Sequence, residues 1–99
     1  MVSEIDRPGT ELRDNPETHQ FELLVDGEPA GLAAYRMRDG VMVITHSEVS
    51  PRFRGQGLGD ELARRTLDVI RARGGKVTPA CPFFARYVEK HHDWDDIIA

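Results

Sequence analysis

The sequence predicts a small mixed α/β (α+β) domain: an antiparallel meander, a glycine loop, an amphipathic helix, a parallel strand and a short second helix. Three observations carry that expectation. Two strand-like runs close on Asp26-Gly27 and Asp39-Gly40, pairs that favour tight hairpins. The run Arg54-Gly55-Gln56-Gly57-Leu58-Gly59 lies where a strongly apolar segment ends and a helical pattern begins. Gly74-Gly75 then closes the helix, and a second short apolar segment follows.

Each element can be justified in order. Residues 1–16 are polar and broken by Pro8-Gly9 and Asn15-Pro16, so they are expected to form a flexible N-terminal arm before a single domain over 17–99. Residues 19–26 form the first strand candidate, with Phe21, Leu23 and Val25 at period two. Residues 30–38 form the second. The third, residues 41–49, is the most strand-like segment of the chain. Leu62, Ala63, Thr66, Leu67 and Ile70 recur at three- and four-residue spacing, whereas Asp60, Glu61, Arg64, Arg65, Asp68 and Arg71 should form a solvated face. Lys76-Val77-Thr78 reads as a strand parallel to the third, reached by a crossover helix. Pro82 suits the first position of a second helix, whose apolar stripe is Phe84, Tyr87 and Val88. Residues 94–98 are expected either to add a last strand or to cover the core.

Ninety-nine residues, 39% hydrophobic and 30% charged, suffice for one core and no second lobe. Thirteen Lys and Arg against 17 Asp and Glu give a net charge of −4, which argues against nucleic acid or an anionic membrane as main partner. A local basic patch at Arg52 and Arg54 is compatible with that balance. No apolar run approaches the roughly 18 residues of a membrane span, and Met1-Val2-Ser3-Glu4 does not begin a signal peptide. One cysteine excludes an internal disulfide, so a cytoplasmic location is expected. Adjacent His91-His92 and the lone Cys81 lack zinc-ligand spacing, so no metal is expected. The chain is expected to be a monomer or weak dimer.

The glycine loop at a helix start is a candidate phosphate cradle, because its amides and the helix dipole both favour an anion. A nucleotide-triphosphate loop would need Lys-Ser/Thr after its last glycine, yet Asp60-Glu61 follow. The dinucleotide fingerprint would need glycine at position 60 and a long doubly wound sheet. Both fail.

What fits is Arg54-x-x-Gly57-x-Gly59 between strand and helix. This resembles the acetyl-CoA loop of the GNAT superfamily of N-acetyltransferases. The fuller run Thr45-His46-Ser47-Glu48-Val49, then residues 54–59, then Pro79-Ala80-Cys81-Pro82-Phe83 is similar to its compact single-domain branch, the YjdJ type. The likeness covers about residues 19–98. It implies a GNAT-like fold and acetyl-CoA as cosubstrate. It further implies that Arg54, Gly55, Gln56, Gly57, Leu58 and Gly59 hold the pyrophosphate, and that Val49 offers backbone contacts to the pantetheine arm. Acetyl transfer to a primary amine of a small molecule or of a protein, at a lysine or N-terminus, is the implied activity. A CoA or acyl-CoA sensor without efficient catalysis is the alternative.

Three side chains are candidates for the chemistry. His46 and Glu48 lie two apart on a strand and so share a face; either could take the amine proton, and His has the better unperturbed pKa near neutrality. Cys81, before a helix-starting proline, occupies an N-cap where the dipole favours thiolate. It could act as nucleophile, as thiol acid toward CoA, or only as a small buried hydrophobe. Tyr87 is expected in the core.

Overall fold

The computed structural model describes residues 9–99. Its sheet runs in chain order: β1 (Thr10–Asn15), β2 (Gln20–Val25), β3 (Glu28–Arg38), β4 (Val41–Val49) and β5 (Lys76–Pro79). The first four strands are antiparallel neighbours, and β5 lies parallel to β4. Helix α1 (Leu58–Ala72) makes the crossover, and α2 (Pro82–Lys90) follows β5. Short 3-10 segments occupy Pro51–Phe53 and His92–Ile97.

The expected hairpins form at the expected pairs. Asp26 and Gly27 have φ of 51° and 82°, and Asp39 and Gly40 have 52° and 80°. Two consecutive left-handed residues twist the chain in the sense that paired strands require.

Part of the expected arm is instead a strand. Residues 1–8 lie outside the described residues, but Thr10–Asn15 pairs with β2 along its whole length. Only Leu12 on that strand is apolar; it pairs opposite Leu23 and packs on the core. An edge strand needs little more, because one face is solvated and one side is unpaired. The Asn15-Pro16 break is therefore the β1–β2 turn, closed by the amides of Thr18 and His19 on the carbonyls of Asn15 and Pro16.

α1 buries Leu58, Leu62, Ala63, Thr66, Leu67 and Ile70 against Phe21, Leu23, Ala33 and Ile44. Glu61 departs from its expected solvated position. It is 4% exposed, and its carboxylate accepts a hydrogen bond from Arg65 Nε at 2.9 Å. Of the two expectations for the tail, covering the core is the one realised: Trp94 and Ile97 are buried in a 3-10 segment, and Ile98 makes a single isolated bridge to Val77 rather than a strand. The Trp94 indole donates to Asp68 of α1 at 3.0 Å, and Arg71 bonds to Asp93 and Asp96, so the acidic and basic positions of α1 also anchor the tail.

One irregularity sets the geometry at the open end of β4. Ala34 pairs with His46 but Tyr35 pairs with Ile44, so Thr45 is an extra residue in β4. The bulge reverses the strand's alternation. Ile44 and Ser47, opposite core residues Tyr35 and Ala33, face the helices, whereas His46 and Glu48 face the other way. Leu24 and Val43 are buried but lie outside the core cluster, on that second, helix-free face.

Candidate active site

β4 and β5 pair only from Val41↔Lys76 to Ile44↔Pro79. Cys81 donates its amide to the Ile44 carbonyl at 2.8 Å, and beyond that point the two chains part. Two local causes act there. Proline at 79 cannot donate to a ladder, and the bulge at Thr45 turns β4 away. Residues 45–49 therefore have no β5 partner, and they border a cleft of about 140 Å³ lined by Ser47, Glu48, Val49, Gly59, Leu62 and Phe83.

The glycine loop closes one end of this cleft. Gly55 and Gly57 have φ of 80° and 74°, and a side-chain carbon at either would meet nothing within 4 Å. They are glycine for conformation, and the space before them is open. Gly57 caps α1, and helix geometry leaves the amides of Leu58, Gly59 and Asp60 without acceptors inside the helix. Gly59 has a separate reason. Its backbone is helical, and a Cβ there would come within 3.1 Å of the Phe83 ring. It lets Phe83 approach the loop, so its glycine serves packing rather than the backbone turn. The Leu58 side chain is core, leaving only its amide to the loop. Arg54 is exposed, while Arg52, expected beside it in a basic patch, is neutralised by Glu28 at 2.6 Å.

The three candidate chemical residues divide between opposite faces, His46 and Glu48 pairing on one and Cys81 meeting Ser47 on the other. His46 Nε2 lies 2.8 Å from Glu48 Oε2, with side chains 62% and 60% exposed. With its proton on Nε2, the imidazole donates to the carboxylate and keeps a lone pair on Nδ1. Cys81 is buried, and its sulfur sits 3.1 Å from the Ser47 hydroxyl. Burial pushes the thiol pKa up, but the hydrogen bond from Ser47 and the amides of Phe84, Phe83 and Ser47 outweigh it, so the thiol ends below its ordinary value. Cys81 is the N-cap residue of α2, and Phe83 and Phe84 lie in the first turn, where amides lack acceptors inside the helix.

Tyr87 is core, as expected, stacked between His91 at 4.3 Å and Trp94 at 5.7 Å. Burial, then the Asp60 charge, raises its phenol above the ordinary range, which keeps it neutral. It also lines a cavity of about 150 Å³ beside the loop with Asp60, Phe83, Arg86, Lys90 and His91. Among the described residues no group of three or more His, Cys, Asp or Glu could hold a metal ion, and no helix is long and apolar enough to cross a membrane.

Sequence reasoning missed Ser47 and Phe83. Period-two alternation would put Ser47 on the face opposite Ile44 only if no bulge intervened, and no residue type announces the bulge. Phe83 could have been suspected from its place one residue into a helix that begins beside the loop.

A mixed sheet that opens beside a glycine-capped helix defines an acyltransferase of the GNAT type. The chain belongs to the GCN5-related N-acetyltransferase family, whose model matches residues 20–97. In fold it is similar to a GCN5-like protein from Staphylococcus aureus solved by NMR, with a TM-score of 0.69 and 22% identity over 94% of this chain and 91% of that one. It is also similar to the ribosomal-protein-S18-alanine N-acetyltransferase of Escherichia coli, with a TM-score of 0.53 and 20% identity over 73% of this chain and 42% of that one. No curated protein matches the chain.

Proposed function

We propose that this protein transfers an acetyl group from acetyl-CoA to a primary amine. The observation that carries the reading is the parting of β4 from β5 into a cleft that ends at the glycine loop. Gly55 and Gly57 leave open space before the loop, and the first α1 amides and the helix dipole favour an anion there, so the chain fits a pyrophosphate. The exposed cations Arg54, Arg86 and Lys90 surround the same end and suit the remaining phosphate charge. The edge of residues 45–49 that β5 leaves unpaired, Val49 included, suits the amide groups of a pantetheine arm.

Bound acetyl-CoA would supply the thioester carbonyl that the amine attacks. The protein's part is to remove a proton from the amine and to provide one to the departing sulfur. His46 is the proposed base, with Glu48 holding the imidazole; both stand on the face from which an amine can arrive. Cys81 and Ser47 border the other side of the parting and are the proposed local proton donors. A direct transfer needs no acyl-cysteine, and the burial of Cys81 disfavours one. A cytoplasmic setting fits the single free cysteine. The exposure of the His46 and Glu48 side chains favours keeping one rival reading, a CoA sensor.

Gly57→Glu tests the loop. It places a carboxylate and a side chain at φ 74°, and it should abolish CoA binding by calorimetry in a domain that still unfolds cooperatively. Undiminished affinity in that variant would remove the loop from the CoA site. Free-thiol release from acetyl-CoA across an amine panel separates enzyme from sensor: binding without turnover supports the sensor.

A further inference from the structure

The chain is acidic, and most of its cations are spoken for. Arg13, Arg52, Arg64, Arg65, Arg71 and Arg73 face carboxylates, and Lys76 bonds to the Asp96 carbonyl. Arg36 and Arg38 have no such partner among the described residues. They stand two apart on β3, so both project from the helix-free face, close enough to repel each other.

They also wall a groove. A cavity of about 440 Å³ runs over that face, lined by Arg36, Arg38, Asp39, Val41, Val43, Thr78 and Ala80. Its size lies in the range of about 300–1,000 Å³ usual for small-molecule sites. Its floor is the β4–β5 seam, Val43 beside Thr78, and Ala80 directly precedes Cys81 where the strands part. His46 and Glu48 project from the same face beyond that point. Arg36 lies opposite Val43, and His46 lies opposite Ala34, two residues along β3. At about 3.3 Å per residue, the base sits about 7 Å from Arg36 and about 13 Å from Arg38 along the strand. One end of the face thus offers a carboxylate and an imidazole to an ammonium group. The other offers two guanidinium groups and the Thr78 hydroxyl to an anion, against a single carboxylate at Asp39.

We infer that this groove is the acceptor site, and that it takes a small primary amine carrying a carboxylate or phosphate several bonds from the nitrogen. The inference rests on the acyl-transfer reading for the identity of the reaction, and on the groove alone for binding. Arg36 and Arg38 hold the anion through charge-assisted hydrogen bonds, which aligns the amine with His46.

The test uses the full chain with 6-aminohexanoate, 5-aminopentyl phosphate, hexylamine and 1,6-diaminohexane. With acetyl-CoA, the kcat/KM of at least one anionic amine should exceed that of hexylamine and of the diamine by about tenfold or more, and which anion leads identifies carboxylate or phosphate as the source. In Arg36→Gln/Arg38→Gln that preference should collapse to within about threefold, through a raised KM. Both positions are exposed, and circular dichroism checks the fold. In an independent arm, titration of either anionic amine into isotope-labelled protein should shift the amides of Arg36, Arg38, Val43 and Thr78 saturably. Turnover that favours the neutral amine or the diamine would overturn the inference while leaving the transferase standing. Saturable shifts at those amides without turnover of any amine would uphold the groove and sink the transferase. Absence of saturable shifts overturns the groove itself.

Discussion

Residues 41–44 of β4 pair with strands on both sides, and Ile44 is fully buried there; residues 45–49 pair only with β3 and carry the exposed His46 and Glu48. The two stretches are continuous and share one neighbour, so intrinsic strand preference cannot separate them. What separates them is a single extra residue, Thr45, together with a proline at the end of the facing strand. The buried core position and the proposed base thereby fall in different halves of one strand, and a substitution should affect one half without the other.

The largest expected effect is on rate, in the open half. His46→Ala should reduce acetyl transfer by roughly 10²–10⁴-fold, the range for a positioned acid–base group, with CoA affinity and unfolding midpoint little changed. Steady-state kinetics beside a urea titration would show it. Activity within a few-fold of the parent would move the base to Glu48.

Ile44→Ala should break the closed half. Truncating a fully buried side chain in the core cluster should cost about 2–5 kcal/mol of stability, read as a lower urea midpoint. Thr45→Ala, one residue on and exposed, should stay within about 0.5 kcal/mol of the parent. Equal costs at both positions would mean that the halves are not distinct.

The smallest effect sharpens the boundary between them. Ser47 hydrogen-bonds to Cys81 and helps hold its thiol below the ordinary value, so the parent should form thiolate at lower pH than a free cysteine. Ser47→Ala removes that bond and should move the pH midpoint of iodoacetamide alkylation upward. An unmoved midpoint would assign the depression to the backbone amides of Phe84, Phe83 and residue 47. Alkylation with the midpoint of a free thiol in the parent would leave Cys81 as a packing residue.

Much of this was legible along the chain. The Asp-Gly pairs, the alternation in β2 to β4, the Pro82 helix start and the glycine loop each depend on residues within a few positions of one another. β1 was not legible, because one inward leucine among charges does not differ from a polar arm until β2 is beside it. The burial of Glu61 was equally hidden: its position on the helical wheel is marginal, and Arg65 decides whether a carboxylate there can leave water. Gly59 was legible as a needed glycine but not for its reason, which is the Phe83 ring beyond β5, far along the chain.

The sequence by itself therefore determined the order of elements from β2 to α2, the hairpin turns and the glycine loop at the start of α1, because those follow from backbone sterics and from periodicities that act locally. Tertiary structure alone decided which face each β4 residue takes, that β4 and β5 part after Ile44 and Pro79, and that Arg36 and Arg38 overlook a groove. A bulge shifts every later side chain to the other face, and its presence depends on the register with a neighbouring strand. Register is a sum over contacts between distant residues, and no single stretch of chain carries it.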